Sequence, residues 1–386
     1  MIAEERTDVL PFRRVPGTVV LQPTPLCNMR CTYCYLPDLS DGRRMDVQIP
    51  KLLADQIARY STPTCIELRW HAGEPLTTGR KHLAQLLEPF EALRRDGRVR
   101  HSLQTNATLV NDDWCSFFKQ YEVDVGVSID GPRWANSRRR TLSGAETFDR
   151  ALRGIECLRG HHIGISVIAV VSLADVPRIV DQAADYLQFF VSIGAHAVGF
   201  NVEETEGRHR VGGDCRDTLV RAFWEALFAA WVDADCQPIV RDFAGILRFA
   251  EASLSGIRTT SPVDLLPTVT CDGDVVVLSP ELAGYRDPSY DDFKAGNLYE
   301  ETLDEILGKA PSLRYVREFR EGARWCSDHC PYFSFCRAGQ ASNRYFEHGH
   351  FVTALTEFCQ HSRRMPFDVV VGTPAWAPPE SRATDD

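Results

Sequence analysis

The chain has no excess of basic residues, no long apolar run and no recognisable export signal. Its 43 Lys and Arg are outnumbered by 53 Asp and Glu, for a formal charge of −10, which speaks against nucleic acid as a partner. No stretch of eighteen apolar residues occurs, so no membrane span is expected. The opening Met1-Ile2-Ala3-Glu4-Glu5-Arg6 is acidic and lacks an apolar export core. The expected location is therefore cytoplasmic, and the thirteen cysteines, an odd number, do not read as a disulfide framework. What remains is an ordinary globular composition, 44% hydrophobic and 25% charged over 386 residues. That is enough chain for a catalytic domain and a second module.

The cysteines are informative because they cluster. Cys27, Cys31 and Cys34 fall in one loop after a short apolar run, and Cys326, Cys330, Cys336 and Cys359 gather near the other end. Cys65, Cys115, Cys157, Cys215, Cys236 and Cys271 are scattered and read as small buried hydrophobes. Three thiolates spaced as in Cys27-x3-Cys31-x2-Cys34 can hold three irons of a 4Fe–4S cubane and leave the fourth open to a chelating small molecule. Tyr33 and Leu26 would shield such a cluster. Zinc is the alternative, but it wants four ligands, and no nearby Cys or His supplies the fourth.

Between Thr18 and Asn201, β-like and helical stretches alternate. Strands are expected at Thr18–Gln22, Cys65–Trp70, Val99–Thr105, Val123–Ile129, Ile163–Val171 and Ala195–Asn201. Helices are expected near 50–60, 79–95, 112–121, 146–160, 174–192, 214–233 and 239–255. Repeated β–α units make a parallel sheet with right-handed crossovers. In barrels built this way the ligand site lies at the C-terminal ends of the strands.

The three-cysteine loop, with an aromatic before its third cysteine, resembles that of the radical S-adenosylmethionine (SAM) enzymes. The resemblance implies an α/β fold, a partial (β/α)6 barrel, with SAM chelated to the open iron and cleaved to a 5′-deoxyadenosyl radical. Trp70-His71-Ala72-Gly73-Glu74-Pro75 resembles the family's Gly-Gly-Glu-Pro motif, with Ala72 for the first glycine. Gly73 and Glu74 are thereby implied in binding the SAM amino group. Asn106, in Gln104-Thr105-Asn106, and Ser128, in Ser128-Ile129-Asp130-Gly131-Pro132, match positions that commonly bind the ribose or carboxylate. Within Arg138-Arg139-Arg140, Arg139 best matches the arginine that forks onto the SAM carboxylate, with Arg140 the alternative. Glu203, Glu204 and Asp130 are candidate catalytic carboxylates, since ring closure after hydrogen abstraction needs a proton acceptor. The stretch Arg208-His209-Arg210-Val211-Gly212-Gly213 reads as a mobile loop that contacts substrate.

The later cysteines resemble the SPASM extension of radical SAM peptide maturases, which in full form carries seven cysteines and two auxiliary clusters. Leu278-Ser279-Pro280-Glu281-Leu282 replaces the family's Tyr-Pro-Cys, and Gln340 replaces a further cysteine. Cys326, Cys330, Cys336 and Cys359 would hold one auxiliary 4Fe–4S cluster, with zinc the alternative. The expected organisation is a lead-in at 1–17, the barrel at 18–258, the cysteine-rich module at 259–365 and a disordered tail at 366–386.

The branch most resembled matures ribosomally made precursor peptides by cyclophane formation, a carbon–carbon bond from a side-chain β-carbon to an aromatic ring. It implies an external electron donor such as flavodoxin or ferredoxin. Thioether-forming, epimerising and sulfatase-type formylglycine-generating maturases are alternatives, as is a non-catalytic iron–sulfur carrier. Only about twenty residues precede the cysteine loop, so leader recognition is expected on the barrel, the C-terminal surfaces or a partner. One route is strand addition at the Cys271-Asp272-Gly273-Asp274 hairpin.

Overall fold

Six parallel strands form the frame: β1 (Thr18–Leu21), β2 (Ile66–Trp70), β3 (Val99–Thr105), β4 (Val123–Ser128), β5 (Ile165–Val171) and β6 (Ala195–Val202). The computed structural model describes residues 11–61, 64–212, 216–256 and 263–372. Each of the first five strands passes into a crossover helix or helix pair: α1 (Gln48–Arg59), α2 (Arg80–Leu87) with α3 (Glu91–Arg95), α4 (Asp112–Gln120), α5 (Phe148–Gly160), and α6 (Val176–Asp181) with α7 (Ala183–Ser192). Two of the expected helices are split. Pro89 turns residues 88–90 into a 3-10 segment between α2 and α3, and the second break falls at Gln182.

Strand alternation explains the interior. On β5, Ile165, Val167, Ala169 and Val171 are buried against helices, while Ser166, Ile168 and Val170 line a central cavity. Arg100, Ser102 and Gln104 of β3 and Asp124, Gly126 and Ser128 of β4 line it likewise. One face of the sheet thus builds an apolar core under the helices, and the other leaves a polar lumen. Gly126 admits the Gln104 side chain, whose amide a Cβ there would strike.

The sheet continues beyond the barrel. β7 (Ile239–Val240) follows β6, α8 (Arg216–Asp233) precedes it and α9 (Arg241–Leu254) follows it. β8 (Thr268–Val269) pairs in parallel with β1, β9 (Asp274–Val276) pairs antiparallel with β8, and β10 (Gly296–Asn297) pairs with β9. The order is β10-β9-β8-β1-β2-β3-β4-β5-β6-β7. The C-terminal part therefore adds strands to the barrel's own sheet, and Phe12 of the lead-in bridges to Val263. Both strands of the Cys271 hairpin are paired on either side, which removes the edge that strand addition would need there; the free edge lies at β10.

The C-terminal helices are α10 (Leu303–Lys309), α11 (Arg314–His329), α12 (Phe333–Cys336), α13 (Ala341–His348) and α14 (Met365–Gly372). Helix α11 is absent from the sequence expectations, although its buried Tyr315, Val316, Phe319 and Ala323 recur at helical spacing. The expected tail also needs correction. Residues 366–372 belong to α14, with Met365, Val369 and Val370 buried against α8 and α9, and Phe367 packs on Phe249 and Phe335. The run Phe367-Asp368-Val369-Val370-Val371 supplies enough apolar surface to dock a short helix, which a Pro-bounded segment does not advertise by composition. Residues 373–386 and 1–10 lie outside those described, as does Cys215.

Truncation after Gly372 keeps α14 whole and is the reference chain. Truncation after Arg364 strips several buried side chains, each worth about 1.5–3 kcal/mol, and should lower the melting temperature by several degrees. Equal melting of the two truncated chains by circular dichroism would refute the docking role.

Candidate active site

The cysteine loop follows β1 and is held at several points. Cys27 N–H donates to Leu39 O (3.1 Å), Arg30 N–H to Arg140 O (2.7 Å) and Thr32 N–H to Arg138 O (3.2 Å). The arginine strap therefore backs the loop. The loop after β2 closes against it, with Glu74 N–H donating to Leu26 O (2.8 Å). Gly73 has φ +55°, and a Cβ there would stand 2.6 Å from the carbonyl oxygens of Thr24 and Leu26. Only glycine fits that approach.

Cys27, Cys31 and Cys34 line one end of a cavity of about 730 Å³, together with Gly73, Glu74, Asn106, Ser128, Arg139, Glu203 and Glu204. The structure thus gathers the expected site residues at the strand ends, Asp130 excepted. Burial pushes the Cys27 thiol up to about 12 and Cys34 to about 11, and raises Cys31. Among the described residues, no three of the seven clustered cysteines bring their sulfurs within 4.8 Å of one another. A tetrahedral zinc would need them about 3.8 Å apart. The wider spacing and the all-sulfur donor set fit an iron–sulfur cluster at Cys27, Cys31 and Cys34.

Glu74 braces this site more than it opens onto it. Its carboxylate accepts from Leu76 N–H (3.2 Å), the Thr105 hydroxyl (2.7 Å) and Asn106 N–H (2.8 Å). Burial still lifts its pKa to about 6, against those hydrogen bonds. With three donors engaged, the backbone of 72–74 is the part left to accept from an ammonium group. Asn106 is tied to the cysteine loop, donating from Nδ2 to Asn28 Oδ1 (2.9 Å) and accepting from Thr108 N–H (3.0 Å). Ser128 Oγ accepts from Gln104 Nε2 (2.8 Å).

Asp130 is displaced from the role expected of it. Its carboxylate accepts from the Tyr33 hydroxyl (2.6 Å) and Val170 N–H (3.1 Å) and lies 3.6 Å from Arg139 Nη1, away from the cavity wall. Arg139 Nη1 also donates to the Tyr33 hydroxyl (2.6 Å). A fully buried carboxylate with these partners orients Arg139 and Tyr33 and cannot meet a substrate proton. The Asp-Gly-Pro turn gave no sign of this, because Tyr33 arrives from the cysteine loop.

The carboxylates after β6 divide. Glu203 is engaged by Arg138 (3.0 Å), His209 Nε2 (3.0 Å) and the Ser172 hydroxyl (2.9 Å). Glu204 keeps a buried oxygen, Oε2, without a hydrogen-bond partner. Beside it stand Glu206, which accepts from the Ser342 hydroxyl (2.7 Å) and Gln340 Nε2 (3.3 Å), and Glu281. Burial and then the charge of Glu281 hold Glu204 and Glu206 well above the usual carboxylate range, with Glu347 acting on both and Glu204 on Glu206; burial sets Glu281 at about 7. Glu281 is thus partly protonated at neutral pH. Glu281, Gln340 and Glu206 form an acid–amide network there. The loop expected to be mobile is anchored as far as it is described: Arg208 N–H donates to Tyr35 O (3.4 Å), and a Cβ at Gly207 would collide with that carbonyl.

Cys326, Cys330, Cys336 and Cys359 line one small cavity. Arg344, 2% exposed, reaches it: Nη2 lies 3.8 Å from Cys326 Sγ and its other bonds go to the carbonyls of Phe319, Ala338 and Phe351. A buried guanidinium held by neutral carbonyls is costly without a nearby anion. Four thiolates sharing an iron–sulfur cluster would provide that charge, so these residues fit the group.

The family model described as the Radical SAM superfamily matches residues 21–204. The chain is 31% identical over 367 residues to an uncharacterized protein of Synechocystis, covering 92% of this chain and 91% of that one. It is 24% identical over 366 residues to a serine-type anaerobic sulfatase-maturating enzyme of Bacteroides thetaiotaomicron, covering 88% and 86%. Among solved structures its fold resembles native anSMEcpe with bound AdoMet and Cp18Cys peptide, with TM-score 0.72 at 19% identity over 92% and 96% of the two chains. Among the described residues no helix is long and apolar enough to cross a membrane.

Glu281 has a raised pKa in the folded state, so the unfolded chain loses its proton first and stability falls as pH rises from about 4.5 through about 7. Glu281→Gln is expected to flatten that slope in melting temperature measured between pH 5 and 8. An unchanged slope would show that Glu281 ionises freely.

Proposed function

The chain belongs to the radical SAM superfamily, and from that membership we propose that this enzyme matures a ribosomally made precursor peptide by forming a cyclophane crosslink. When bound, the first cluster with SAM would supply the radical that abstracts a substrate β-hydrogen, and a second cluster would supply an acceptor for the electron lost on rearomatisation.

Cys27, Cys31 and Cys34 hold the first cluster, and Cys326, Cys330, Cys336 and Cys359 the second. Arg139, aimed by Tyr33 and Asp130, takes the SAM carboxylate, while Gly73, Asn106 and Ser128 shape the rest of that pocket. Arg140 instead points at Glu146 (3.6 Å), which supports Arg139 for the role. The peptide enters the same cavity, whose walls come from both the barrel and the C-terminal part. An external flavodoxin- or ferredoxin-like donor delivers the first electron.

The observation that carries the reading is the acid wall. Glu204 brings an unpartnered buried carboxylate oxygen to the cavity, where it accepts the proton that the aromatic ring loses on coupling. Glu203, paired with Arg138, positions the wall and is the weaker acceptor. The likeness to a sulfatase-maturating enzyme favours a second reading, formylglycine formation. The Glu281 and Gln340 replacements speak for the first.

Reconstituted protein is expected to bind about eight iron and eight sulfide, falling to about four of each in a Cys336→Ala/Cys359→Ala variant; four in the unaltered chain would sink the second cluster. Coexpression with a short aromatic-repeat peptide encoded beside the gene should yield peptide two hydrogens lighter per crosslink, with fragmentation suppressed inside the ring. Cys27→Ala abolishes this, and Glu204→Gln slows it by about 10²–10⁴-fold. A product that instead reacts with hydroxylamine as an aldehyde would favour formylglycine.

A further inference from the structure

Four side chains outside the cavity form a second constellation, among cysteines that the sequence alone assigns to packing. Asp112 and Cys115 lie on the first turn of α4, while Cys157 lies in the last turn of α5 and His161 caps it. Residues three or four apart share a helix face, so each helix presents a pair of donors. The fold turns the two pairs toward each other. Cys115 Sγ lies 3.5 Å from Cys157 Sγ, Cys157 Sγ lies 3.5 Å from Asp112 Oδ1, and that oxygen lies 2.8 Å from His161 Nε2.

The ligand atoms of Cys115, Cys157 and His161 all fall within 4.8 Å of one another, the one such group of His, Cys, Asp or Glu among the described residues. A tetrahedral zinc, with Zn–S about 2.3 Å and Zn–N or Zn–O about 2.0–2.2 Å, spaces its donors about 3.3–3.8 Å apart. The two sulfurs, 3.5 Å apart, stand inside that range, while Asp112 lies outside the group and meets His161 by a hydrogen bond.

We propose that Cys115, Cys157 and His161 bind a zinc ion that clamps α4 to α5, separate from both iron–sulfur sites, with Asp112, hydrogen-bonded to His161 Nε2, orienting that ring. The two thiols become thiolates, so binding one Zn²⁺ releases two protons and changes no oxidation state. Cys115 is fully buried and forms the floor, while Asp112 stands in solvent behind His161.

The clamp bears on the active site through packing. Gly154, one turn before Cys157, meets the backbone of Ala107 so closely that a Cβ would collide with its carbonyl. Ala107 follows Asn106, and Asp112 begins the helix that this loop enters. Holding α4 against α5 therefore holds the Asn106 loop against the cysteine loop.

The test is elemental analysis of the full chain, purified anaerobically and loaded with iron, sulfide and equimolar Zn²⁺. One zinc per chain is expected, retained in the Cys336→Ala/Cys359→Ala variant and lost in Cys115→Ser/Cys157→Ser with iron and sulfide unchanged. His161→Ala, at a helix end, keeps the fold and should release zinc to a chelator at least about tenfold faster. No zinc in the unaltered chain, or zinc held equally by His161→Ala and Cys157→Ser, overturns the proposal. So does a Cys115–Cys157 disulfide found by peptide mass mapping of the same preparation.

Discussion

The carboxylate of Glu74 is the constraint on which the site's geometry rests. Its oxygens take donors from the end of β3 and from its own turn, while its amide reaches the cysteine loop. Three strand ends are thereby referenced to one buried group. Its cost is desolvation, visible as a pKa of about 6, and the hydrogen bonds offset it. Gly73 belongs to the same device, because the two loops can approach this closely only where a Cβ is missing.

A second buried set does for Arg139 what Glu74 does for the loops. Tyr33 lies between Asp130 and Arg139 with two 2.6 Å hydrogen bonds, so a cation in a dry site is both neutralised and aimed. The cysteine loop thus contributes its thiols and also the hydroxyl that orients the arginine. Across the cavity, the C-terminal part contributes acid chemistry. Glu281 and Gln340 meet Glu206, and Glu204 is left with an oxygen free.

Much of this was legible in residues taken in order. The six strands lie within two residues of their expected bounds, because Val- and Ile-rich runs ending in loops have one reasonable interpretation. The seven clustered cysteines line two cavities, three in one and four in the other. The place of Asp130 is not legible in the sequence because its partners, Tyr33 and Val170, are distant in the chain. The tail was misjudged because prolines and small polar residues hid the apolar face of α14. Cys115 and Cys157 looked like isolated hydrophobes, since nothing local links helices forty residues apart.

The sequence by itself determined the donor types and their local spacing: three thiols on a loop, four in a C-terminal set, a parallel α/β order and a surplus of acid. These are properties of neighbours along the chain, set by backbone period and side-chain chemistry. Tertiary structure alone decided which carboxylates face the cavity, which merely brace an arginine, and which scattered thiols meet. Those outcomes depend on where separate strand ends converge, and desolvation there, not residue type, sets what each acid can do.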